Sequence, residues 1–194
     1  SEEKRTALTT EAIKSLTQNG YNINIEAGSG EGAFISDLAF TESGAEIVHS
    51  KQEIFKADII LKIAPLRKDE LQYLRPNQVV ISPLHLPNLT AEFLDILKQK
   101  RVIALAMEYI KDKSGFFPIV RMMSEMAGIG AIHIASELLS TTNNGTGILL
   151  GGITGVEPAK VVIIGAGVVA EYASRAAMGL GAEVRIFENK IYKL

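Results

Sequence analysis

The chain contains no cysteine, and this absence removes several kinds of site at once. A protein without cysteine has no disulfide, no thiolate nucleophile and no zinc held by Cys ligands. Its three histidines, His49, His85 and His133, are too widely spaced along the chain to indicate a metal site. We therefore predict no metal site, and we expect the chemistry to depend on other groups.

Long basic and long apolar segments are also missing. Twenty Lys and Arg residues stand against 22 Asp and Glu, which gives a net charge of -2 without any basic block. Nucleic acid is therefore not a predicted partner. No apolar run reaches the roughly 18 residues that cross a bilayer, and residues 1–10 lack the apolar core of a signal peptide. We expect a cytoplasmic protein with no membrane partner.

Strand-like and helix-like patterns alternate over the first 110 residues. The predicted strands are 21–26, 45–48, 59–63, 79–81 and 102–106, and the predicted helices are 11–18, 52–55 and 91–99. Alternation of this kind is typical of an α/β protein with a parallel, doubly wound sheet.

Residues 122–140 interrupt that alternation, because they are rich in Met, Ala and Ile and contain no proline. We predict one long, mostly buried helix that connects two domains. The predicted organisation is a substrate domain at 1–121, the connecting helix at 122–140, and the start of a dinucleotide-binding domain at 141–194. Both domains are predicted to be Rossmann-like, with the second one truncated.

The second domain contains a G-x-G-x-x-A turn in the expected context. The apolar strand 161–164 leads into Gly165-Ala166-Gly167-Val168-Val169-Ala170 at the start of a helix. Such a turn lets the backbone approach a pyrophosphate at the helix N-terminus. A second strand, 183–187, is followed by Glu188, 23 residues after the first glycine. An acid at this position binds the ribose hydroxyls and favours NAD over NADP.

Each part of this pattern also has a purely structural explanation. A glycine-rich turn can be no more than a tight strand–helix connection, and Glu188 can be a solvated charge at a strand end. Strand, turn, helix, second strand and acid together favour the dinucleotide site. We predict that Gly165, Gly167, Val168, Val169 and Glu188 contact NAD.

Several longer segments resemble one protein family. Residues 147–160, GILLGGITGVEPAK, are similar to the G-x-L-L-G-G-x-x-G-V-x-P-A-K segment that alanine dehydrogenases share with transhydrogenase alpha subunits. Residues 4–9, 44–48 and 57–62 resemble the family's R-R-V-A-L-T-P, G-A-x-I-V and A-D-I-I-L-K-V segments. The resemblance covers essentially the whole chain.

Two segments separate the sister families. Residues 82–86, SPLHL, are similar to the Y-L-H-L segment that carries the catalytic histidine of alanine dehydrogenases, a residue that transhydrogenases generally lack. Residues 123–128, MSEMAG, resemble the dehydrogenase M-S-E-x-A-G. Both favour an NAD-dependent alanine dehydrogenase. The alternatives are the NAD(H)-binding alpha subunit of a proton-translocating transhydrogenase and a non-catalytic NAD-binding regulatory module.

The resemblance implies roles for particular residues. Arg5 and Lys62 would hold the carboxylate and keto oxygen of the substrate. Lys62 and His85 would be the catalytic residues, with His85 exchanging a proton, and Ser124 would contribute to the cofactor site. Without the resemblance, Arg5 and Lys62 would be read as surface charges and His85 as a hydrogen-bonded loop histidine. We assign no role to His49 or His133.

The implied reaction is the reversible oxidative deamination of L-alanine to pyruvate and ammonium, with glycine and glyoxylate as a further possibility. The resemblance also implies a homo-oligomer, with a hexamer as the expected size. Members of the family continue past residue 194 with a further catalytic Asp and the rest of the NAD domain. We therefore expect the sequence to be part of a longer enzyme and to be inactive alone.

Overall fold

A computed structural model describes residues 3–190. Within this part of the chain, six α-helices and seven β-strands alternate in the order Thr10–Gln18 (α1), Asn24–Glu26 (β1), Asp37–Glu42 (α2), Glu46–Val48 (β2), Lys51–Ile54 (α3), Ile59–Leu61 (β3), Val79–Ser82 (β4), Ala91–Gln99 (α4), Ile103–Ala106 (β5), Pro118–Leu139 (α5), Lys160–Ile164 (β6), Val168–Gly179 (α6) and Glu183–Phe187 (β7). Short 3-10 helices lie at Glu31–Ala33, Lys68–Tyr73, Leu86–Asn88, Met107–Tyr109 and Thr141–Asn143.

Hydroxyl side chains determine where the helices of the first 110 residues begin. Thr9, Ser36, Ser50 and Thr90 precede α1, α2, α3 and α4, and each side-chain oxygen accepts a backbone N–H three residues further on. Such a cap satisfies a backbone donor that the helix itself leaves without a partner. This is why short helices with few buried residues form at these positions.

The chain divides into two compact units, Ser1–Ile110 and Lys111–Leu194. In the first unit, β1 pairs with β2, and β3, β4 and β5 form a second sheet in that order. All three pairings are parallel, as the alternating pattern predicts. The prediction of one sheet through the first 110 residues differs from the structure, in which the three-residue strands β1 and β2 pair only with each other.

Two apolar clusters hold the first unit together. One lies around the three-stranded sheet and includes Phe55, Ile60, Val80, Phe93 and Leu97. The other lies around β1 and β2 and consists of Ile13, Phe40 and Ala45. Because β3, β4 and β5 are parallel neighbours, their carboxyl ends lie at one edge of the sheet.

In the second unit, β6 and β7 form a parallel pair and α5 packs along α6. The core of this unit consists of Ile132, Leu150, Ala173, Ala177 and Ala182. Gly128 permits the close approach of the two helices, because a Cβ at this position would lie 2.9 Å from the backbone nitrogen of Ala173 and would collide with the carbonyl oxygen of Val169.

The long helix differs from its prediction in two respects. It begins at Pro118 rather than at residue 122, and Gly128 and Ile132 are its only buried residues. Large apolar side chains such as Met126 and Leu138 are 55% and 64% exposed. The expectation of a mostly buried helix was therefore wrong for the described residues, because α5 packs within its unit mainly against one helix, α6. The predicted domain boundaries stay predictions.

Within residues 3–190, no helix is long and apolar enough to cross a membrane. No group of three or more His, Asp or Glu side chains in the same range is arranged to hold a metal ion.

Candidate functional site

The glycine-rich turn lies between β6 and α6. Gly165 directly follows β6 and has φ +101°, a conformation that favours glycine. Its N–H donates to the carbonyl oxygen of Phe187, the last residue of β7, at 2.7 Å. Gly167 is the N-cap of α6. The sequence therefore forms the predicted strand–turn–helix, and a backbone hydrogen bond fixes the turn to the neighbouring strand.

The turn leaves room for a ligand on the backbone. A Cβ built on Gly165 or on Gly167 would meet no atom within 4 Å, and no side chain caps the start of α6. The first N–H groups of a 12-residue helix therefore stand beside open space, where an anion is favoured. These features fit the pyrophosphate of a dinucleotide.

The residues that follow the turn differ in exposure. Val168 is half-buried, whereas Val169 is 44% exposed. Ala170 is buried, and its carbonyl oxygen accepts the hydroxyl of buried Ser174 at 2.7 Å. The small side chain at 170 thus performs the packing that a third glycine performs in other fingerprints.

Glu188 directly follows β7, and its side chain reaches back to the turn. Its Oε2 accepts the N–H of Ala166 at 2.8 Å, and its Oε1 accepts the N–H of Lys190 at 2.9 Å. The carboxylate is half-buried. The carboxylate is therefore hydrogen-bonded to the backbone of the turn, at the residue before Gly167, and is not simply a solvated charge at a strand end.

Ser124 lies on α5, where its hydroxyl donates to the carbonyl oxygen of Val120 at 2.8 Å. This bond lies within the helix and leaves the lone pairs of the hydroxyl oxygen available as acceptors. The side chain is half-buried.

Lys62 lies at the carboxyl end of β3. Its backbone N–H donates to the carbonyl oxygen of Ile81 on β4 at 2.9 Å, which continues the parallel ladder by one residue. Its Nζ donates to both carboxylate oxygens of Glu70, at 2.8 and 2.7 Å. Glu70 is 5% exposed. Lys62 is therefore not a free surface charge, because it is paired with a buried carboxylate.

His85 follows the carboxyl end of β4 by three residues and has a left-handed backbone, with φ 48°. Its N–H donates to Oε1 of Glu108 at 2.7 Å, and the N–H of Leu84 donates to the same carboxylate at 3.1 and 3.2 Å. The side chain of His85 is exposed. Glu108 thus holds the backbone of the histidine in an uncommon conformation and leaves its ring accessible.

Burial acts to raise the pKa of Glu108, but backbone N–H donors outweigh it. Its own N–H and those of His85 and Leu84 hold the pKa of this carboxyl below its usual value. Glu108 is therefore ionised near neutral pH, as the acceptor of these N–H groups needs to be.

Arg5 lies in the segment before α1. Its guanidinium donates to the two carboxylate oxygens of Glu3, each at 2.7 Å. This hydrogen-bonded pair raises the pKa of Arg5 and lowers the pKa of Glu3 to about 2. The side chain of Arg5 is 45% exposed. Its charge is thus neutralised locally by a neighbouring residue.

The structure brings two of the three predicted substrate residues to one edge. Lys62 and His85 follow adjacent parallel strands, whereas Arg5 precedes the first helix of the same unit. Sequence reasoning missed Glu70 and Glu108, which bind them. An acid just after β5 could have indicated Glu108, because the carboxyl ends of parallel strands share an edge.

The histidines without an assigned role lie elsewhere. His49 follows β2 and His133 lies on α5, and both are exposed.

Profiles of two domain families match the chain. Residues 1–127 match the alanine dehydrogenase/PNT N-terminal domain, and residues 131–194 match the alanine dehydrogenase/PNT C-terminal domain. The two matches together cover nearly the whole chain.

Curated relatives carry names from the same family. The chain is 35% identical over 196 residues to an alanine dehydrogenase of Methanococcus maripaludis, with 99% of this chain and 52% of the relative covered. It is 34% identical over 186 residues to alanine dehydrogenase 2 of Staphylococcus aureus, with 96% and 50% covered. The chain spans about half the length of the curated relatives it matches.

Solved structures have the same fold. An L-alanine dehydrogenase matches with a TM-score of 0.92 and 30% identity, over 98% of this chain and 53% of that one. A transhydrogenase from Sinorhizobium meliloti matches with a TM-score of 0.85 over 98% of this chain and 57% of that one. At 24% identity, the second likeness bears on the fold alone.

Proposed function

Because the chain belongs to the alanine dehydrogenase/PNT family, we propose that it forms part of an NAD-dependent L-alanine dehydrogenase. The full protein would interconvert L-alanine with pyruvate and ammonium. The observation that supports this choice is the placement of His85 beside the strand end that carries Lys62. An exposed imidazole and an ammonium group at one sheet edge suit an oxoacid that must be both held and protonated.

Lys62 and Arg5 bind the substrate in this proposal. A small oxoacid offers a carboxylate and a keto oxygen, both of which need cationic donors at fixed positions. Lys62 supplies an ammonium on a fixed strand end, and Arg5 supplies a planar guanidinium suited to a carboxylate. Substrate binding would require Arg5 to share or exchange its present partner, Glu3.

His85 exchanges the proton of the reaction. An imidazole has two ring nitrogens, of which one can donate and the other can accept a proton. The Glu108 carboxylate fixes the backbone of His85, so the position of the ring depends only on its side-chain torsions.

NAD is the proposed cofactor, held by Gly165, Gly167, Val168, Val169 and Glu188, with Ser124 as a further contact. When bound, its nicotinamide accepts a hydride from alanine or returns one in the reverse direction. The glycine turn provides backbone N–H groups for the pyrophosphate, and Glu188 accepts hydrogen bonds from the ribose. The homo-oligomer and the cytoplasmic location stay predictions of the sequence.

The test is an assay of the full-length protein, in which oxidation of NADH is followed with pyruvate and ammonium, and then with either one omitted. The proposal expects oxidation only when both are present, and a slower reaction with NADPH. Replacing pyruvate with glyoxylate measures the preference among small oxoacids. A protein that binds NADH but converts neither oxoacid would favour the transhydrogenase or regulatory alternatives.

A further inference from the structure

The pair formed by Lys62 and Glu70 is the most enclosed ion pair among the described residues, with side chains 24% and 6% exposed. The carboxylate of Glu70 accepts three hydrogen bonds from the protein. Oε1 and Oε2 both accept from Nζ of Lys62, and Oε2 also accepts the N–H of Arg67 at 2.9 Å. A carboxylate this deeply buried needs partners of this kind, because an unpaired one is costly.

The position of Glu70 is fixed by its own element. It lies in the first turn of the 3-10 helix Lys68–Tyr73, where its side chain caps the start of that helix through Arg67. The next residue, Leu71, is buried in the core around β3 and β4. Glu70 therefore cannot move together with the side chain of Lys62. The ion pair instead holds the ammonium of Lys62 next to the fixed carboxylate.

Lys62 retains a donor for a further group. An ammonium has three N–H donors, and the two oxygens of one carboxylate occupy at most two of them. Lys62 follows β3 at the carboxyl edge of the sheet, the neighbouring strand β4 leads to His85, and the Lys62 side chain is 24% exposed.

We propose that Glu70 is the positioning residue of Lys62, which it orients so that the free donor of the ammonium points at the keto or carboxylate oxygen of the oxoacid. This role rests on the proposed function. A lysine side chain alone does not keep its ammonium at one position, because its four-carbon stem is flexible. The ion pair fixes the ammonium before the substrate arrives, which lowers the entropy cost of binding.

The opposite role for Glu70 makes a different prediction. If the carboxylate competed with the substrate for Lys62, the ammonium would have to leave Glu70 before binding an oxoacid. Removal of the negative charge would then strengthen substrate binding. Positioning predicts that the same change weakens it, so one variant distinguishes the two roles.

The experiment compares Glu70→Gln with Asp69→Asn in the full-length protein. Asp69 lies on the same 3-10 helix and pairs with Arg67 and Lys51 at the surface, so it controls for the loss of a charge from this element. Glu70→Gln is expected to raise KM for pyruvate about tenfold or more, with a smaller change in kcat and an unchanged Kd for NADH. Asp69→Asn is expected to leave all three within about twofold.

A second measurement keeps the inference testable when the variant is inactive. Acetic anhydride must reach Nζ of Lys62, and the two hydrogen bonds to Glu70 hold that atom against a buried carboxylate. Acetylation of Lys62, followed by mass spectrometry relative to exposed Lys14, is expected to be several times faster in Glu70→Gln than in wild type. A thermal unfolding transition as cooperative as that of wild type shows that the variant is folded.

The outcomes separate the two proposals. Faster acetylation together with the raised KM supports positioning. Unchanged acetylation, an unchanged KM or a lowered KM in Glu70→Gln overturns it, and a lowered KM identifies competition. If the wild type converts no oxoacid while acetylation still depends on Glu70, the ion pair stands and the proposed function has failed.

Discussion

The two candidate sites differ in the length of sequence that forms them. One is the glycine turn of the second unit, and the other is the sheet edge of the first unit that carries Lys62 and His85. The turn uses consecutive residues, 165–170, with one acid brought back by the adjacent strand. The sheet edge combines residues 62, 85 and 108, which follow three neighbouring parallel strands, with residue 70, which binds Lys62 from a 3-10 helix. The turn is a local site that depends mainly on backbone conformation. The sheet edge is a dispersed site that depends on hydrogen bonds and ion pairs made by side chains distant in sequence.

The largest expected effect comes from the dispersed site. His85→Ala in the full-length protein should lower kcat with pyruvate and ammonium about 10²-fold or more, because proton transfer is lost. Its Kd for NADH should not change. His49→Ala, at an exposed strand end, is the control. Near-normal turnover of His85→Ala would mean that the sheet edge is not the catalytic part.

The acid of the local site gives the next effect. Glu188→Ala should weaken NADH binding by about 1.5 to 3 kcal/mol, because the ribose hydroxyls lose a charged acceptor. Fluorescence titration with NADH measures the change. Glu183→Ala removes a carboxylate from the start of the same strand and should bind NADH normally. An unaltered Kd in Glu188→Ala would refute its assignment.

Helix packing beneath the turn can be tested with two glycines of α5. Gly128→Ala places a methyl group against the backbone of α6 and should reduce stability by about 1 to 3 kcal/mol. Gly130→Ala meets no atom within 4 Å and should increase stability by about 0.5 to 1 kcal/mol, since alanine favours a helix. The urea midpoints of the two variants should therefore move in opposite directions. Equal shifts would show that the two helices do not approach as closely as described.

The two glycines of the turn should also behave differently. Gly167→Ala has an ordinary backbone and open space, so it should fold normally but weaken NADH binding about tenfold, because the methyl group enters the pyrophosphate space. Gly165→Ala should lower stability by about 1 to 3 kcal/mol, because its φ of +101° strains an alanine. Thermal unfolding and NADH titration of both variants separate the two effects. Normal NADH binding by Gly167→Ala would show that the pyrophosphate does not bind at this turn.

The smallest expected effect concerns Glu108, whose carboxylate accepts the backbone N–H of His85. The folded state lowers the pKa of Glu108, so this group stabilises the protein at pH values above the ordinary carboxyl range. That contribution is lost as the pH falls through the lowered pKa. Glu108→Gln should therefore lose less stability than wild type between pH 7 and about pH 3 in urea unfolding.

The difference between the two regions also explains what the sequence could predict. The bounds of α4 and β7 agree with their predictions, because periodicity and flanking caps or glycines act within a few residues. The turn at Gly165 is predictable for the same reason. Glu70 and Glu108 were missed because their importance depends on the residues that the fold places beside them, and no local pattern contains both members of either pair.

Exposure of the long helix was the other failure. The apolar composition of 118–139 indicates burial, but composition does not determine how many neighbours a helix finds, and α5 packs mainly against α6 in its unit. The sequence can thus predict which residues form a helix without predicting how much of that helix is buried.

The most direct test of the central claim is a crystal structure of the full-length protein with NADH and pyruvate. The account predicts the ribose hydroxyls within hydrogen-bonding distance of Glu188, the pyrophosphate on the backbone of Gly167, and pyruvate in contact with Lys62, with His85 within reach of its keto oxygen. Pyruvate bound away from the sheet edge of Lys62 and His85, or a ribose that does not contact Glu188, would contradict it.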